Sequence, residues 1–245
     1  MIKFIINNTE SVMPNSNPNL LISYINLRKA VGILGIALPV IVVVGSTFGC
    51  CGLDELLTAI SAYYHTNMRD VFVGILCILA IFMFSYKGYE KRDDMAGDLA
   101  CIFALGTALL PTSSDGATSC ADPAQNDLIR TIHLISAGAL LLTFAYFSYF
   151  LFTKTKPGGE AAMSIMKQKR NKLYKVCAWV MVGCIGLIIV YFLGFEERYP
   201  PTGLFKPVFW LEAISLWAFG LSWLVKGEVL LADNDEPDDE QESEG

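Results

Sequence analysis

The 245-residue chain carries little charge: Asp, Glu, Lys and Arg make up 17% of it, where a soluble domain has about 25%. Set against 53% hydrophobic residues, that scarcity disfavours a soluble globular protein. Histidine is limited to His65 and His133. There is no G-x-x-x-x-G-K-[ST], no H-E-x-x-H and no G-x-S-x-G. ATP hydrolysis on a phosphate-binding loop, zincin chemistry and the common serine-hydrolase elbow therefore lack support. The absence of C-x-x-C or a Cys/His pattern removes the usual structural zinc site. Residues 1–27 hold no apolar stretch long enough for a cleavable signal peptide, so the first apolar block is expected to act as an uncleaved insertion signal.

What the chain does have is long apolar blocks. A window of about nineteen residues gives six expected spans at 30–49, 71–86, 95–111, 129–152, 174–195 and 207–225. The second and third are short for a hydrocarbon core of ~30 Å. Leu53 to Met68 also reads as helix, and joined to the second span it is too long for one perpendicular crossing, so its first half is expected to lie outside the membrane, to tilt, or to break near Arg69-Asp70. Pro39 should kink the first span, and Lys206-Pro207 should open the last. The fold class is thus all-α: a polytopic membrane protein with six transmembrane helices.

Fourteen of the eighteen Lys and Arg residues fall in one alternating set of loops, and only Arg69, Arg130, Arg198 and Lys206 in the other. Basic residues mark the cytoplasmic side, so both termini are expected to be cytoplasmic. The organisation follows: a cytoplasmic N-terminal segment over 1–29, a six-helix domain over 30–226, and an acidic, disordered cytoplasmic tail over 227–245. The net charge of −6 belongs to that tail, because residues 233–245 hold eight acidic side chains and no basic one, leaving the rest of the chain 18 basic against 16 acidic.

Of seven cysteines, Cys77, Cys101, Cys177 and Cys184 fall within spans and read as small apolar residues. Cys50, Cys51 and Cys120 fall on the non-cytoplasmic side. In an oxidising compartment Cys51, with Cys50 as its alternative, could bridge to Cys120; three unpaired thiols are the other reading.

Ionisable groups near spans are expensive and point to function. His133 lies about one turn into the fourth span and Glu212 between one and two turns into the sixth. Ser61, His65 and Arg69 share one face if their segment is an α-helix, with Tyr64 beside them and Asp70 next in sequence. By depth, His65, Arg69, Asp70, His133 and Glu212 could converge on one pocket in the outer leaflet. Three readings are open: a zinc site of His65, His133 and Glu212; a structural network in which Arg69 pairs with Asp70 or Glu212; and a headgroup or small-solute site with Arg69 and a histidine facing an anion.

Elsewhere the patterns read as packing. Asp94 and Asp98 suit the N-terminus of the third span. Gly32, Gly35 and Gly45 in the first span, and Gly183 and Gly186 in the fifth, suit close helix approach, while Ser136, Ser148, Ser215 and Ser222 suit interhelical hydrogen bonds. The basic loop 153–173 suits anionic lipid headgroups better than nucleic acid.

The runs Arg28-Lys29-Ala-Val-Gly32-Ile-Leu-Gly35-Ile-Ala-Leu-Pro39, Ser61-Ala-Tyr-Tyr-His65-Thr-Asn-Met-Arg69-Asp70, Tyr86-Lys87-Gly88-Tyr89, His133-Leu-Ile-Ser136-Ala137 and Phe209-Trp210-Leu211-Glu212 resemble a set of bacterial multi-pass membrane proteins with no assigned activity. That resemblance covers about residues 28–228 and implies a bacterial inner membrane. Ser61-x-x-x-His65 is also similar, over a short stretch, to the serine and histidine of the alkaline ceramidase and adiponectin-receptor superfamily of zinc amide hydrolases. That superfamily has seven spans and an H-x-x-x-H pair on the last; this chain has Glu212 there and no H-x-x-x-H.

The expected function is binding of a lipid headgroup or small amphiphile in a non-cytoplasmic pocket, with no covalent chemistry and no cofactor. The alternatives are a zinc-dependent lipid hydrolase, with Asp70 as base and Arg69 or Ser61 steadying the oxyanion, and a scaffold or transporter component. Membrane lipid is the expected partner, nucleic acid is not, and a homo-oligomer and a cytoplasmic partner for the acidic tail are left open.

Overall fold

A computed structural model of the chain describes residues 18–48, 56–86, 88, 90–112, 126–154 and 165–227. Cys50, Cys51, Cys120 and the acidic tail lie outside the described residues. Among the described residues there are six α-helices and no strand: α1 (Pro18–Thr47), α2 (Arg69–Ser85), α3 (Lys91–Leu109), α4 (Asp127–Tyr146), α5 (Ile165–Val190) and α6 (Pro207–Lys226). α4 and α5 each continue into one wider π-helical turn, Phe147–Leu151 and Tyr191–Phe195. Four stretches, Ile25–Thr47, Asp127–Leu151, Ile165–Phe195 and Pro207–Lys226, are long and apolar enough to cross a membrane. α2, with 17 residues, is about 26 Å long.

Over residues 56–68 the segment ahead of α2 is not the α-helix expected from Leu53 to Met68. Residues 56–60 are irregular, Ser61–His65 is a 3-10 turn, and Thr66 is extended. The cause is local: the Thr66 hydroxyl donates to the Tyr63 carbonyl at 2.8 Å and accepts the Met68 N–H at 3.0 Å, replacing helical hydrogen bonds with side-chain ones. The shared face of Ser61, His65 and Arg69 is therefore not formed. α2 starts at Arg69, so of the three readings of this stretch the break near Arg69-Asp70 is the one the backbone follows.

Neighbours in sequence pack side by side, α2 on α3, α3 on α4, α4 on α5 and α5 on α6, and α1 closes the ring against α6. Close approach depends on small residues. A Cβ on Gly32 would lie 2.8 Å from the Gly220 carbonyl oxygen, and one on Gly220 would lie 2.5 Å from that of Gly32. Across α2 and α3 the buried series Ala96, Gly97, Ala100, Ala104 and Ala108 repeats every three or four residues, and a Cβ on Gly97 would meet the Met83 carbonyl at 2.6 Å. Gly183 and Gly186 have open space where a Cβ would stand, so they do not serve the packing role their spacing suggests. Pro39 lies within α1, where its missing N–H frees the Gly35 carbonyl; the next carbonyl, that of Ile36, accepts the Trp217 indole N–H at 3.2 Å.

The end of the bundle bearing Lys154 and Lys226 is filled by rings. Trp223, fully buried, packs edge-on to Phe152 at 5.0 Å and Phe82 at 5.2 Å, and Phe144 stacks on Phe219 at 3.9 Å. Lipid is as apolar as these rings, so they hold the helices through van der Waals packing, at about 0.5–1.5 kcal/mol per aromatic pair. Ser148 and Ser222 join α4 to α6 by a hydrogen bond of 2.9 Å, whereas the buried Ser215 hydroxyl has no partner. Asp93 is 1% exposed and takes the Lys154 ammonium at 2.6 Å, with Glu90 at 3.6 Å from the same ammonium. Glu90 and Asp93 also form the capping box of α3. The pair raises the Lys154 pKa above its ordinary value, chiefly through the Asp93 hydrogen bond. Cys77, Cys101, Cys177 and Cys184 are free thiols.

Candidate functional site

At the opposite end, residues 56–65 meet the first two turns of α6. Phe209 is the third residue of α6, and its N–H has no acceptor within the helix; it donates to the Thr58 carbonyl at 2.9 Å. Glu212 answers from one turn further on. Its Oε2 accepts the Ile60 N–H at 2.7 Å, and the Ser61 N–H donates to the same carboxylate. Those two donors open the Ser61–His65 turn, so the Glu212 carboxyl caps it by accepting its first N–H groups.

Both histidines hold the exit of α3. His65 Nε2 lies 2.7 Å from the Thr112 carbonyl oxygen, and His133 Nδ1 lies 2.8 Å from that of Leu110. A carbonyl only accepts, so these nitrogens carry the protons, and in each neutral ring the other nitrogen is a bare lone pair. His133 is buried, and its Nε2 has no hydrogen-bond partner.

Arg69 is exposed and turns to Tyr64: its guanidinium donates to the Tyr64 hydroxyl at 2.8 Å and sits 4.5 Å from the ring centroid. No ion pair joins it to Asp70 or Glu212. Asp70 is exposed in the first turn of α2. Among the described residues, no three His, Cys, Asp or Glu side chains come together to hold a metal ion. His65, His133 and Glu212 thus share one end of the bundle, each with its own backbone partner.

Two cavities meet at Glu212. The first, about 140 Å³, lies between residues 58–62 and the near ends of α4, α5 and α6. Its polar wall comes from Ser61, Thr112, Arg130, Tyr191, Glu196 and Glu212. At ~10–15 Å³ per water on this measure, it has room for about ten waters. The second, about 50 Å³, is lined by apolar side chains including Leu38, Phe72, Leu76, Leu140 and Leu216. Ser61 and Glu212 line both.

Sequence reasoning missed Arg130, Glu196, Tyr191 and Thr112. The signal that singled out Glu212 applies to two of them, because Arg130 lies one turn into α4 and Glu196 directly follows the π-helical turn of α5. Tyr191 is fixed through its hydroxyl, which donates to the Tyr199 carbonyl at 3.0 Å.

The four long apolar helices and this arrangement define a helical membrane protein with a polar pocket at one end of its bundle. Comparison with protein-family models, curated proteins and solved structures finds no match to the chain.

Proposed function

We propose that the chain is a six-span bacterial inner-membrane protein with cytoplasmic termini, whose non-cytoplasmic pocket binds the headgroup of a membrane lipid or a small amphiphile. α2 and α3 complete the ring beside the four longer apolar helices. The asymmetry of Lys and Arg supports placing the Lys154 end in the cytoplasm, and the resemblance to bacterial multi-pass proteins supports the compartment.

The observation that carries the binding reading is the shared wall. Ser61 and Glu212 separate a polar cavity from an apolar one, so a ligand entering there meets polar partners over an apolar floor. The charges suit a zwitterionic headgroup: Arg130 for a phosphate, Glu196 and Glu212 for an amine. The apolar cavity, about 50 Å³, is far smaller than the ~150 Å³ that takes up benzene. It is a floor beneath the headgroup, while the acyl chains stay in the bilayer. This reading needs no cofactor and no covalent step.

The test is native mass spectrometry of the full chain released from mild detergent. Retention of phosphatidylethanolamine in preference to phosphatidylcholine supports the reading, and retention of neither overturns it.

A further inference from the structure

A separate cavity of about 380 Å³ lies toward the Lys154 end, in the seam between α4 and α5. Its walls are Leu142, Ala145, Tyr149 and Phe150 on one side and Ala178, Trp179 and Val182 on the other. It opens sideways: Leu142, Phe150, Trp179 and Val182 are all exposed. The π-helical turn Phe147–Leu151 places an extra residue in the α4 wall where the groove ends, a feature that recurs at functional sites.

The groove is apolar along its length and cationic at its mouth. Lys175, Trp179 and Val182 fall on one stripe of α5, and Lys172 lies one turn before Lys175 on that stripe. The Lys175 ammonium stands 5.8 Å from the Tyr149 ring centroid, and Tyr149 meets Trp179 edge-on at 6.2 Å. α5 carries five basic residues and no acidic one. From Leu142 to Phe150 the groove runs about 12 Å, close to the depth of one leaflet of a ~30 Å core.

We propose that this groove holds an acyl chain of an anionic phospholipid whose phosphate is met by Lys175 and Lys172. A second copy is the poorer occupant, because a two-fold contact through this face would set the lysine stripes of the two copies against each other. The site requires only that the basic end of α5 meet a lipid headgroup layer, and it is independent of the Glu212 pocket.

The full chain is reconstituted in phosphatidylcholine vesicles containing either brominated phosphatidylglycerol or brominated phosphatidylcholine. The Trp179 signal is isolated by difference from Trp179→Phe. Two lysines near an anionic lipid predict half-maximal quenching at roughly thirtyfold lower mole fraction of the anionic lipid. Lys172→Gln with Lys175→Gln should remove that preference, Ala178→Leu should reduce it by filling the groove, and Arg130→Gln should leave it intact. Equal quenching by both lipids overturns the proposal, and so does protection from both together with a cross-linked dimer.

Discussion

Gly220→Ala is a sensitive probe of the ring, because it adds one methyl group where two backbones touch. Its Cβ would stand 2.5 Å from the Gly32 carbonyl oxygen and 2.6 Å from Ile36 Cγ1. Carbonyl and helix backbone cannot swing aside as a side-chain tip can. Restoring ordinary contact of 3.5 Å or more therefore parts α1 and α6 by about 1 Å, a gap that forfeits a quarter to a half of each contact energy it opens. Overpacking of this kind costs about 1–3 kcal/mol, and the helix preference of alanine over glycine returns at most about 1 kcal/mol. With about 2–4 °C per kcal/mol for a chain of this size, Gly220→Ala should lower the midpoint of thermal unfolding in detergent by several degrees. Gly32→Ala, at 2.8 Å from its carbonyl neighbour, should do so less. Gly183→Ala and Gly186→Ala, with open space at the Cβ position, are the internal controls and should be neutral. Fluorescence-detected size-exclusion after a heat challenge reads all four; equal loss at Gly183 and Gly220 would refute the packing argument.

Glu212→Ala leaves the Ile60 and Ser61 N–H groups without their acceptor and should destabilise by about 2–4 kcal/mol, whereas Glu212→Gln, which keeps a carbonyl oxygen, should cost less than half of that on detergent-titrated unfolding. Asp93→Asn weakens the 2.6 Å ion pair to Lys154 and should cost about 1–3 kcal/mol. Because the Lys154 pKa is raised in the folded chain from its ordinary 10.5, that stabilisation is complete below 10.5 and lost as pH rises through the folded value. The wild-type advantage should thus stay flat from about pH 6 to 9 and close at strongly alkaline pH. His133→Ala removes the hydrogen bond to the Leu110 carbonyl and should destabilise by about 1–3 kcal/mol. Chelator treatment of the wild type should not reproduce that shift, and a matching shift would favour a bound metal.

The helices were legible because their apolar blocks are long and their ends carry distinct signals, such as Lys206-Pro207 before α6. A break before α2 is one of three readings its length allows, and its geometry depends on a single threonine hydroxyl bonding its own backbone, which no pattern in the sequence marks. Glycine spacing misled at Gly183 and Gly186. In a bilayer the outer face of a helix is as apolar as its inner face, so nothing in the sequence of α5 says which side meets a neighbour. At the site, residue types identified Glu212, His65 and His133 as unusual. They could not reveal that each is engaged by backbone from a distant segment, Ile60, Thr112 and Leu110 respectively. Arg130 and Glu196 lie at the near ends of α4 and α5, and only the fold brings them to one cavity with Glu212.

The binding claim is tested most directly by the affinity of the purified full chain for short-chain phosphatidylethanolamine, measured by isothermal titration in mild detergent for the wild type and for Arg130→Gln and Glu196→Gln. Losing one charge-assisted hydrogen bond, about 1.5–3 kcal/mol, should weaken binding at least tenfold in each variant, with thermal unfolding unchanged because both side chains are exposed. Equal affinity in wild type and both variants would contradict the account.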